Sequence, residues 1–396
     1  MKEGWEYKRL KDVATFTRGL TYSKNDEAEI SDNIVLRSNN VDLSTGKLNF
    51  DELKYLRPEF SIPEEKRVKN GSLLMCMSNG SKIHLGKVAL INEDYPYAFG
   101  GFMALVTPNE ELNPQFFHYS LSSPEYKVFI KKLSEGANIN NIKVKELELF
   151  TIPVPPLSEQ QSIVDYLDSA FAKIDAMKAN AEKALNEAKA LFQASLKEML
   201  EPKEEVKWST IGDLFETYSG GTPTKSNKEY YEGGLIPWLR SGEVSQKEIT
   251  RTEMFITEKG LKESSAKYYP ENTVVVAMYG ATAAQVGILR IKSTSNQAVC
   301  GILPHKDFLP EFVYYWFSSI EDKLAAQAQG GAQPNISQQK IKKVEIPIYS
   351  ITEQQSIVAT LDSLKSKVDR LKANYEKISK ECDALKQALL KEVFEG

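Results

Sequence analysis

The sequence predicts an α+β fold in which two mixed α/β globules are joined by two long antiparallel coiled-coil helices, as an internal repeat with pseudo-two-fold symmetry. The phrase "SEQQSIV" at 158–164 returns as "TEQQSIV" at 352–358, which is 194 positions later (352 − 158). Heptad-spaced apolar residues follow each copy, and short β-branched runs fill the segments before it. We expect a globule, a helix, a second globule and a second helix, at 1–155, 156–203, 204–349 and 350–396.

The repeat extends well beyond the seven-residue phrase. Residues 152–201 align without a gap to residues 346–395, and roughly half of the positions are identical. Two unrelated amphipathic helices would not keep "EQQSIV", "KAN" and "LKE" in the same register. The alignment therefore indicates two copies of one long element.

Each long element has a predicted helix start. Ser158 and Thr352 stand three residues before Gln161 and Gln355, which is the spacing of a capping box. Prolines lie just upstream of both starts, where the chain is not yet helical. At 1.5 Å per residue, about 40 helical residues give a rod on the order of 60 Å.

Apolar residues in both copies follow alternating steps of three and four over about four heptads, which is typical of a coiled-coil seam. The predicted helix-pair seam consists of Ile163, Leu167, Ile174, Met177, Leu191, Ile357, Leu361, Leu364, Val368, Leu371, Ile378, Leu385 and Leu389. If the two copies pack about a pseudo-two-fold axis, the helices run antiparallel and hold the globules at opposite ends. A simple dimerisation device is the alternative for such helices.

The globules resemble each other only weakly, with Asp12 and Gly19 falling opposite Asp213 and Gly220. Runs rich in β-branched and apolar residues predict the strands of a mixed sheet. These runs lie at 34–37, 72–77, 87–91, 102–106, 235–240, 273–278, 286–291 and 298–303. One amphipathic helix is predicted in each globule, beginning at Pro114 and at Pro310.

Composition limits the classes of protein. With 41% hydrophobic and 26% charged residues, the chain can form ordinary packed cores. Neither a signal peptide nor a membrane-spanning stretch is evident, so we expect a cytoplasmic protein without a membrane partner. The net charge of −4 argues against a large, uniformly basic surface, so any DNA contact must use local patches or a partner's charge.

Cys76, Cys300 and Cys382 form no CxxC pair, which favours structural thiols over a metal site.

Three segments together carry a family resemblance: "IPVPPLSEQQSIV", "IPIYSITEQQSIV" and "SGGTPTKSNKEYYEGGLIPWLRSGEV" at 219–244. With these segments the chain resembles, over essentially its whole length, the specificity subunit of type I DNA restriction-modification systems. The resemblance implies two target-recognition domains that each read one half of a bipartite double-stranded DNA target. It also implies helices that fix the spacer and bind two methyltransferase subunits, together with recruited restriction/translocase subunits. The first globule departs from the pattern, with "RGLTYSK" at 18–24 where the second has "GGTPTK".

Loops between rigid elements are where groove-reading amides, hydroxyls and basic groups belong. In the first globule the candidate DNA-binding residues are Arg18, Tyr22, Lys24, Arg37, Ser38, Asn39, Asn40, Asn79, Ser81, Lys82, Asn138, Asn140 and Asn141. In the second globule they are Gly220, Gly221, Thr222, Thr224, Lys225, Arg240, Ser241, Tyr279, Gln333 and Asn335. Asn, Gly and Ser also punctuate ordinary surface turns for backbone reasons, and this is the alternative for each of them.

The sequence lacks the motifs of a self-contained enzyme. Its one Pro-Pro pair, in "VPPL" at 154–157, has neither the polar residue before it nor the aromatic residue after it that amino-methyltransferases of DNA carry. Neither GxGxxG nor GxxxxGK[ST] occurs, and the three histidines are scattered. We therefore expect no cofactor or metal in this chain, with S-adenosylmethionine bound by the partner methyltransferase. The hypotheses are a non-catalytic DNA-specificity subunit, a structural coiled-coil scaffold or dimerisation protein without DNA readout, and, least favoured, an enzyme.

Overall fold

The computed structural model describes residues 4–135, 141–201, 206–327 and 335–395. The chain divides into two compact units. The first unit comprises Met1–Ala181 with Tyr375–Gly396, and the second comprises Glu182–Asn374. Each unit therefore contains one globule together with parts of both long helices.

The first unit is built around two four-stranded sheets. Its strands are β1 (Glu6–Arg9), β2 (Ala14–Arg18), β3 (Glu27–Ala28), β4 (Asn33–Leu36), β5 (Lys54–Leu56), β6 (Leu73–Cys76), β7 (Val88–Leu90), β8 (Ala98–Phe99), β9 (Met103–Pro108) and β10 (Thr151–Val154). Its helices are α1 (Leu10–Val13), α2 (Pro114–Ser120), α3 (Pro124–Glu135), α4 (Val144–Leu147) and the first part of α5 (Leu157–Leu200). The strand orders are β2-β9-β6-β7 and β3-β5-β4-β8, and β1 pairs with β10 in a separate antiparallel ribbon.

The second unit repeats this arrangement with modified edges. Its strands are β11 (Lys207–Thr210), β12 (Thr217–Ser219), β13 (Ile236–Leu239), β14 (Glu248–Ile249), β15 (Met254–Ile256), β16 (Val274–Ala277), β17 (Val286–Leu289), β18 (Thr294–Ser295), β19 (Val299–Ile302) and β20 (Glu345–Ile348). Its helices are α6 (Ile211–Leu214), α7 (Glu258–Lys262), α8 (Pro310–Ser319), α9 (Glu321–Ala326), α10 (Gln338–Lys342) and the first part of α11 (Ile351–Glu395). The strand orders are β12-β19-β16-β17-β14 and β15-β13-β18, with β11 and β20 paired in an antiparallel ribbon.

The central strand of each unit is buried on both faces, which explains its continuous apolar sequence. In β6, Leu73 and Met75 pack into the cluster that contains the helices, while Leu74 and Cys76 pack into the cluster toward the second sheet. Strand β16 divides its residues between two clusters in the same alternating way. Successive strand residues point to opposite faces, so each sheet separates two hydrophobic clusters.

The predicted mixed α/β fold is confirmed, and each predicted strand run overlaps an observed strand. The single helix predicted from Pro114 is wrong, because the segment forms α2 and α3, separated at residues 121–123. Pro124 has no backbone N–H to continue the first helix and instead begins the second. The segment from Pro310 is divided in the same way, into α8 and α9.

The long helices α5 and α11 span 44 and 45 residues. In the first unit, Lys178 pairs with Asp383 at 3.2 Å and Asp175 pairs with Lys386 at 2.5 Å. Residue numbers rise along one helix as they fall along the other, so the helices are antiparallel there. The Sγ atom of Cys382 lies 3.7 Å from the carbonyl of Ile174, within the same packed face.

Part of the predicted seam is wrong by one residue. Met177 and Leu191 are both 59% exposed and Leu385 is 47% exposed, whereas Lys178 and Phe192 lie partly buried on the packed face. The prediction chose apolar residues, but the aliphatic stem of Lys178 covers apolar surface while its ammonium reaches Asp383. Of the other predicted seam residues, Leu167, Ile174, Leu361 and Val368 are buried, and Ile163, Ile357, Leu364, Leu371, Ile378 and Leu389 are partly buried.

The capping boxes predicted at Ser158 and Thr352 are wrong. Helix α11 begins at Ile351, and its cap joins Ser350 to Glu353. The Ser350 backbone N–H donates to Glu353 Oε2 at 2.9 Å, and the Glu353 N–H donates to Ser350 Oγ at 3.3 Å. Helix α5 begins at Leu157, directly after two prolines, so Ser158 lies inside its first turn.

Candidate nucleic-acid interface

Five loop segments of the first unit converge at one end of its two sheets. The Gly19 N–H donates to the Met103 carbonyl at 3.1 Å, which joins the end of β2 to the start of β9. The Gly100 N–H donates to the Leu36 carbonyl at 2.9 Å, and this bond brings the end of β4 to the same place. We call residues 19–22, 37–38, 78–79, 100–102 and 141 the first loop cluster.

Hydrogen bonds from the side chains and backbone of the candidate residues join the segments of this cluster. Asn79 Nδ2 donates to Ser38 Oγ at 2.8 Å, across 41 residues of sequence. Asn141 forms an antiparallel bridge with Ser78, and the next residue, Ile142, donates its N–H to the Met77 carbonyl at 2.8 Å. Ser38, Asn79 and Asn141 are therefore neighbours in the fold.

The second unit forms the same cluster at corresponding positions. Tyr279 bridges to Asn335, and the Ile336 N–H donates to the Met278 carbonyl at 2.8 Å. The Asn296 N–H donates to the Leu239 carbonyl at 2.9 Å, as Gly100 does to Leu36. We call residues 219–222, 240–241, 279, 296–298 and 335 the second loop cluster. Each unit thus presents one set of loops from a rigid double-sheet scaffold.

Three of the sequence-predicted residues are buried and have clear structural roles. Asn40 is fully buried, where its Oδ1 accepts from the Arg37 N–H and its Nδ2 donates to the carbonyls of Asn49 and Glu52. Gly220 and Gly221 are buried because other backbone approaches them closely. A Cβ on Gly220 would lie 2.3 Å from the Ser295 carbonyl oxygen. Their residue types fitted DNA contact, but here they serve packing and turn geometry.

The remaining candidates differ in exposure. Exposed are Arg18, Lys24, Asn39, Ser81, Lys82, Asn141, Thr224, Lys225, Tyr279 and Asn335. Partly buried are Tyr22, Arg37, Ser38, Asn79, Thr222, Arg240 and Ser241. Asn138, Asn140 and Gln333 lie outside the described residues.

Some exposed candidates have structural partners outside the loop clusters. Lys82 Nζ donates to the Ser134 carbonyl at 3.0 Å, in the last turn of α3, where a cation suits the helix C-terminus. Asn39 Nδ2 donates to the Glu52 carbonyl at 2.9 Å. These two side chains would have to leave those bonds to reach DNA.

Arg37 in the first cluster and Arg240 in the second occupy equivalent positions, but their charged neighbours differ. Arg240 forms ion pairs with Glu253 and with Glu243, the latter at 3.7 Å. Arg37 has no ion pair within the described residues, and neutral Asn40 stands where the second unit has Glu243. Burial raises the pKa of the nearby Tyr22 phenol, and Arg37 partly opposes this shift. The first cluster is therefore the more electropositive of the two at this point.

Sequence reasoning missed two residues of the clusters. Phe102 is 72% exposed at the turn between β8 and β9, beside the Ser78 backbone, whose N–H donates to the Phe102 carbonyl at 3.2 Å. An exposed aromatic ring of this kind can stack on a base or fill groove space. The second missed residue is Gln297, which follows Asn296 in the second cluster and accepts a hydrogen bond from the Thr222 hydroxyl. The preceding "GG" and "SN" turns were the available signals, because such turns mark loops.

No group of three or more His, Cys, Asp or Glu side chains within the described ranges could hold a metal ion. In that same part of the chain, no helix is both long and apolar enough to cross a bilayer.

A duplicated scaffold with one loop cluster per copy defines a two-domain recognition protein. The family model for the type I restriction modification DNA specificity domain matches residues 2–187 and again residues 203–380. The chain therefore belongs to that family: it is a type I restriction-modification specificity subunit, whose role is DNA sequence recognition. Subunits of this kind bind DNA and assemble with methyltransferase and restriction subunits.

Curated relatives match over the full chain. The type I restriction enzyme EcoKI specificity subunit of Escherichia coli (strain K12) is 26% identical over 423 residues, covering 100% of this chain and 89% of the relative. The StySPI specificity subunit of Salmonella potsdam is 25% identical over 422 residues, with the same coverages of 100% and 89%. Both relatives carry the name of the specificity subunit.

Solved structures share the fold. A chain from a structure of complex assembly in the type I R-M system has a TM-score of 0.77 at 18% identity, covering 99% of this chain and 97% of that one. The HsdS subunit from Thermoanaerobacter tengcongensis has a TM-score of 0.59 at 19% identity, with coverages of 100% and 98%. The predicted architecture of paired globules and long helices matches these folds.

Proposed function

We propose that this chain is a non-catalytic subunit that reads a bipartite DNA target, with each loop cluster reading one half-site. The observation that supports this proposal is the duplicated cluster itself. The Ser78–Asn141 and Tyr279–Asn335 bridges hold equivalent loops, while the side chains on those loops differ between the copies. Equivalent scaffolds with different side chains suit two half-sites of different sequence.

The available groups suit the major groove. Asn141 and Asn335 are exposed amides, which can pair bidentately with adenine, and Arg37 can pair with guanine. The exposed Arg18, Lys24 and Lys225 are the candidates for phosphate contacts, which position the protein without reading sequence. Because the chain carries a net charge of −4, we propose that its partners supply part of the positive charge that DNA binding needs.

The partners and chemistry follow from this role. We propose that the long helices set the spacer between the half-sites and seat two methyltransferase subunits, with restriction/translocase subunits joining that core. S-adenosylmethionine then belongs to the methyltransferase, and this chain needs no cofactor. We propose the cytoplasm as the compartment of the complex, because the relatives come from Escherichia coli and Salmonella potsdam, whose DNA lies there.

The test compares alanine substitutions in the two clusters. The complex of this chain with its methyltransferase is assayed on a library of DNA sequences, and the methylated bases and their flanks are sequenced. Asn141→Ala is expected to relax base preference in one half-site only, and Asn335→Ala in the other. Asn70→Ala, an equally exposed asparagine outside both clusters, should leave the motif unchanged.

Three outcomes count against the proposal. If Asn141→Ala and Asn335→Ala relax the same half-site, the units do not read separately. If neither variant changes the motif while Asn70→Ala does, the loop clusters are misplaced as the DNA interface. A complex that assembles but confers no motif of its own would favour the structural scaffold.

A further inference from the structure

The repeated "EQQSIV" phrase contains one fully buried glutamine in each copy. Gln160 and Gln354 are both 0% exposed, although they lie in the first turns of long helices. Gln160 Nε2 donates to the carbonyls of Glu111 and Pro155, both at 2.8 Å, and its Oε1 accepts from the Asn113 N–H at 2.8 Å. Every bond joins the long helix to backbone of the recognition fold or of the segment between them.

The second glutamine makes the same three bonds. Gln354 Nε2 donates to the Asp307 carbonyl at 2.8 Å and the Tyr349 carbonyl at 2.9 Å, and its Oε1 accepts from the Leu309 N–H at 2.8 Å. Leu309 is the N-cap residue of α8, just as Asn113 is the N-cap residue of α2. In both units the glutamine thus holds the start of the same helix of the recognition fold.

A second attachment joins the same pair of helices further along. The Tyr119 hydroxyl donates to Asp168 Oδ1 in the first unit, and the Tyr315 hydroxyl donates to Asp362 Oδ1 in the second. Both tyrosines are nearly buried, at 7% and 1% exposed. In the second unit, Lys247 also forms an ion pair with Asp362.

The spacing of the two attachments is identical in both units. On the short helix they lie six residues apart, from 113 to 119 and from 309 to 315, which is about 9 Å. On the long helix they lie eight residues apart, from 160 to 168 and from 354 to 362, which is about 12 Å. The two helices also share one hydrophobic cluster in each unit, and within that packing the two separated polar attachments fix the direction of the short helix relative to the long helix.

We infer that Gln160 and Gln354, each with its tyrosine–aspartate hydrogen bond, are positioning residues that set the angle between a recognition fold and its long helix. Since that angle determines where along DNA the loop cluster arrives, they limit the spacer lengths that the complex accepts. This inference rests on the proposed bipartite reading. It also accounts for the repetition of the phrase, because both recognition folds need the same attachment whatever sequence they read.

The test measures spacer tolerance separately from half-site preference. The full-length chain in complex with its methyltransferase is assayed on DNA that keeps both half-sites and varies the spacer by up to two base pairs in each direction. Gln354→Ala is expected to keep the half-site sequences and to lower the methylation ratio between the preferred spacer and its neighbours by about tenfold. Tyr315→Phe, which removes only a hydroxyl group, shifts the ratio in the same direction by a smaller factor.

Matched controls separate positioning from stability. Gln355→Ala changes the adjacent, exposed glutamine of the same motif and should keep the wild-type ratio. Val275→Ala removes buried volume in the same unit, from a cluster without residues of the long helices, and should lower the melting temperature with the ratio unchanged.

Each outcome bears on a different part of the account. A Gln354→Ala complex that folds and keeps the wild-type spacer ratio overturns the inference. If that variant does not fold, an unchanged ratio in Tyr315→Phe overturns it instead. A wild-type complex with half-site preferences but no preferred spacer contradicts the proposed function, and the positioning role falls with it.

Discussion

Replacing Gly220 by alanine should unfold the second recognition fold at a lower temperature. A Cβ at this position would lie 2.1 Å from Ser295 Oγ, 2.3 Å from the Ser295 carbonyl oxygen and 2.4 Å from the Asn296 carbonyl oxygen. Two of these three atoms belong to the backbone of β18 and the residue after it. Ser295 is fully buried, and its carbonyl accepts the Gly221 N–H at 2.8 Å, so the strand cannot move away without losing that bond.

The size of the effect follows from this contact. Overpacking a core costs roughly 1–3 kcal/mol, and contact with backbone places the substitution at the upper end, at about 3 kcal/mol. For a unit of this size, each kcal/mol lowers the melting temperature by about 2–4 °C, so a decrease of roughly 6–12 °C is expected. Gly19→Ala should behave alike in the first unit, since its Cβ would lie 2.0 Å from the Gly100 carbonyl oxygen.

Thermal melting of the purified chain, followed by near-UV circular dichroism, measures this shift. Gly242→Ala is the matched control, because a Cβ there meets nothing within 4 Å, and the change should cost no more than about 0.5 kcal/mol. A Gly220→Ala protein that melts together with the Gly242→Ala protein would refute the packing argument.

Three further predictions concern the length of the two long helices, the charge at Arg37 and Arg240, and the buried His118. Deleting residues 175–181 together with 380–386 shortens both helices of the pair by one heptad, which is about 10 Å or three base pairs. The preferred spacer should therefore shorten while the half-site sequences stay the same. An altered half-site sequence with an unaltered spacer would contradict this prediction. Arg37→Ala should weaken DNA binding by the assembled complex more than Arg240→Ala does, because two carboxylates already neutralise Arg240. It should also reduce the salt dependence of binding more. Equal effects of the two substitutions in a salt titration would contradict the proposed difference in charge between the two clusters. Burial lowers the pKa of His118 to about 4, so the folded state binds fewer protons than the unfolded state between pH 6.5 and 4. The contribution of neutral His118 to the free energy of unfolding should therefore be fully present above about pH 6.5, and the free energy should fall by about 2 kcal/mol on acidification to pH 5. Urea titrations measure this fall, and the His118→Leu protein should lack this part of the pH dependence.

The architecture was predictable because its signals are long. A gapless repeat of 50 residues and several heptads of spacing leave few alternatives, and β-branched runs such as "TVVVA" report strands that are buried on both faces. The seam itself was predictable only to within one residue. Lysine stems at Lys178 and Lys386 occupy packed positions that a count of apolar residues assigns to Met177 and Leu385.

The candidate site was less predictable, because Asn and Gly occur both in ordinary turns and at positions that contact DNA bases. Asn40 and Asn141 are the same residue type in similar loops, yet one is buried in backbone hydrogen bonds and the other is exposed. Which is which depends on contacts with Asn49, Glu52 and Ser78, and local sequence does not encode those contacts. The role of Gln160 was hidden for the same reason, because two of its three partners lie on backbone 47 and 49 residues away.

Methylation sequencing of DNA modified by the partner methyltransferase, with and without this chain, shows whether the chain gives its complex a bipartite DNA specificity. The expected result is a motif with two specific halves around a fixed gap, present only when the chain is included. An assembled complex that methylates without any chain-dependent motif would overturn the proposed function and leave the long helices as a scaffold.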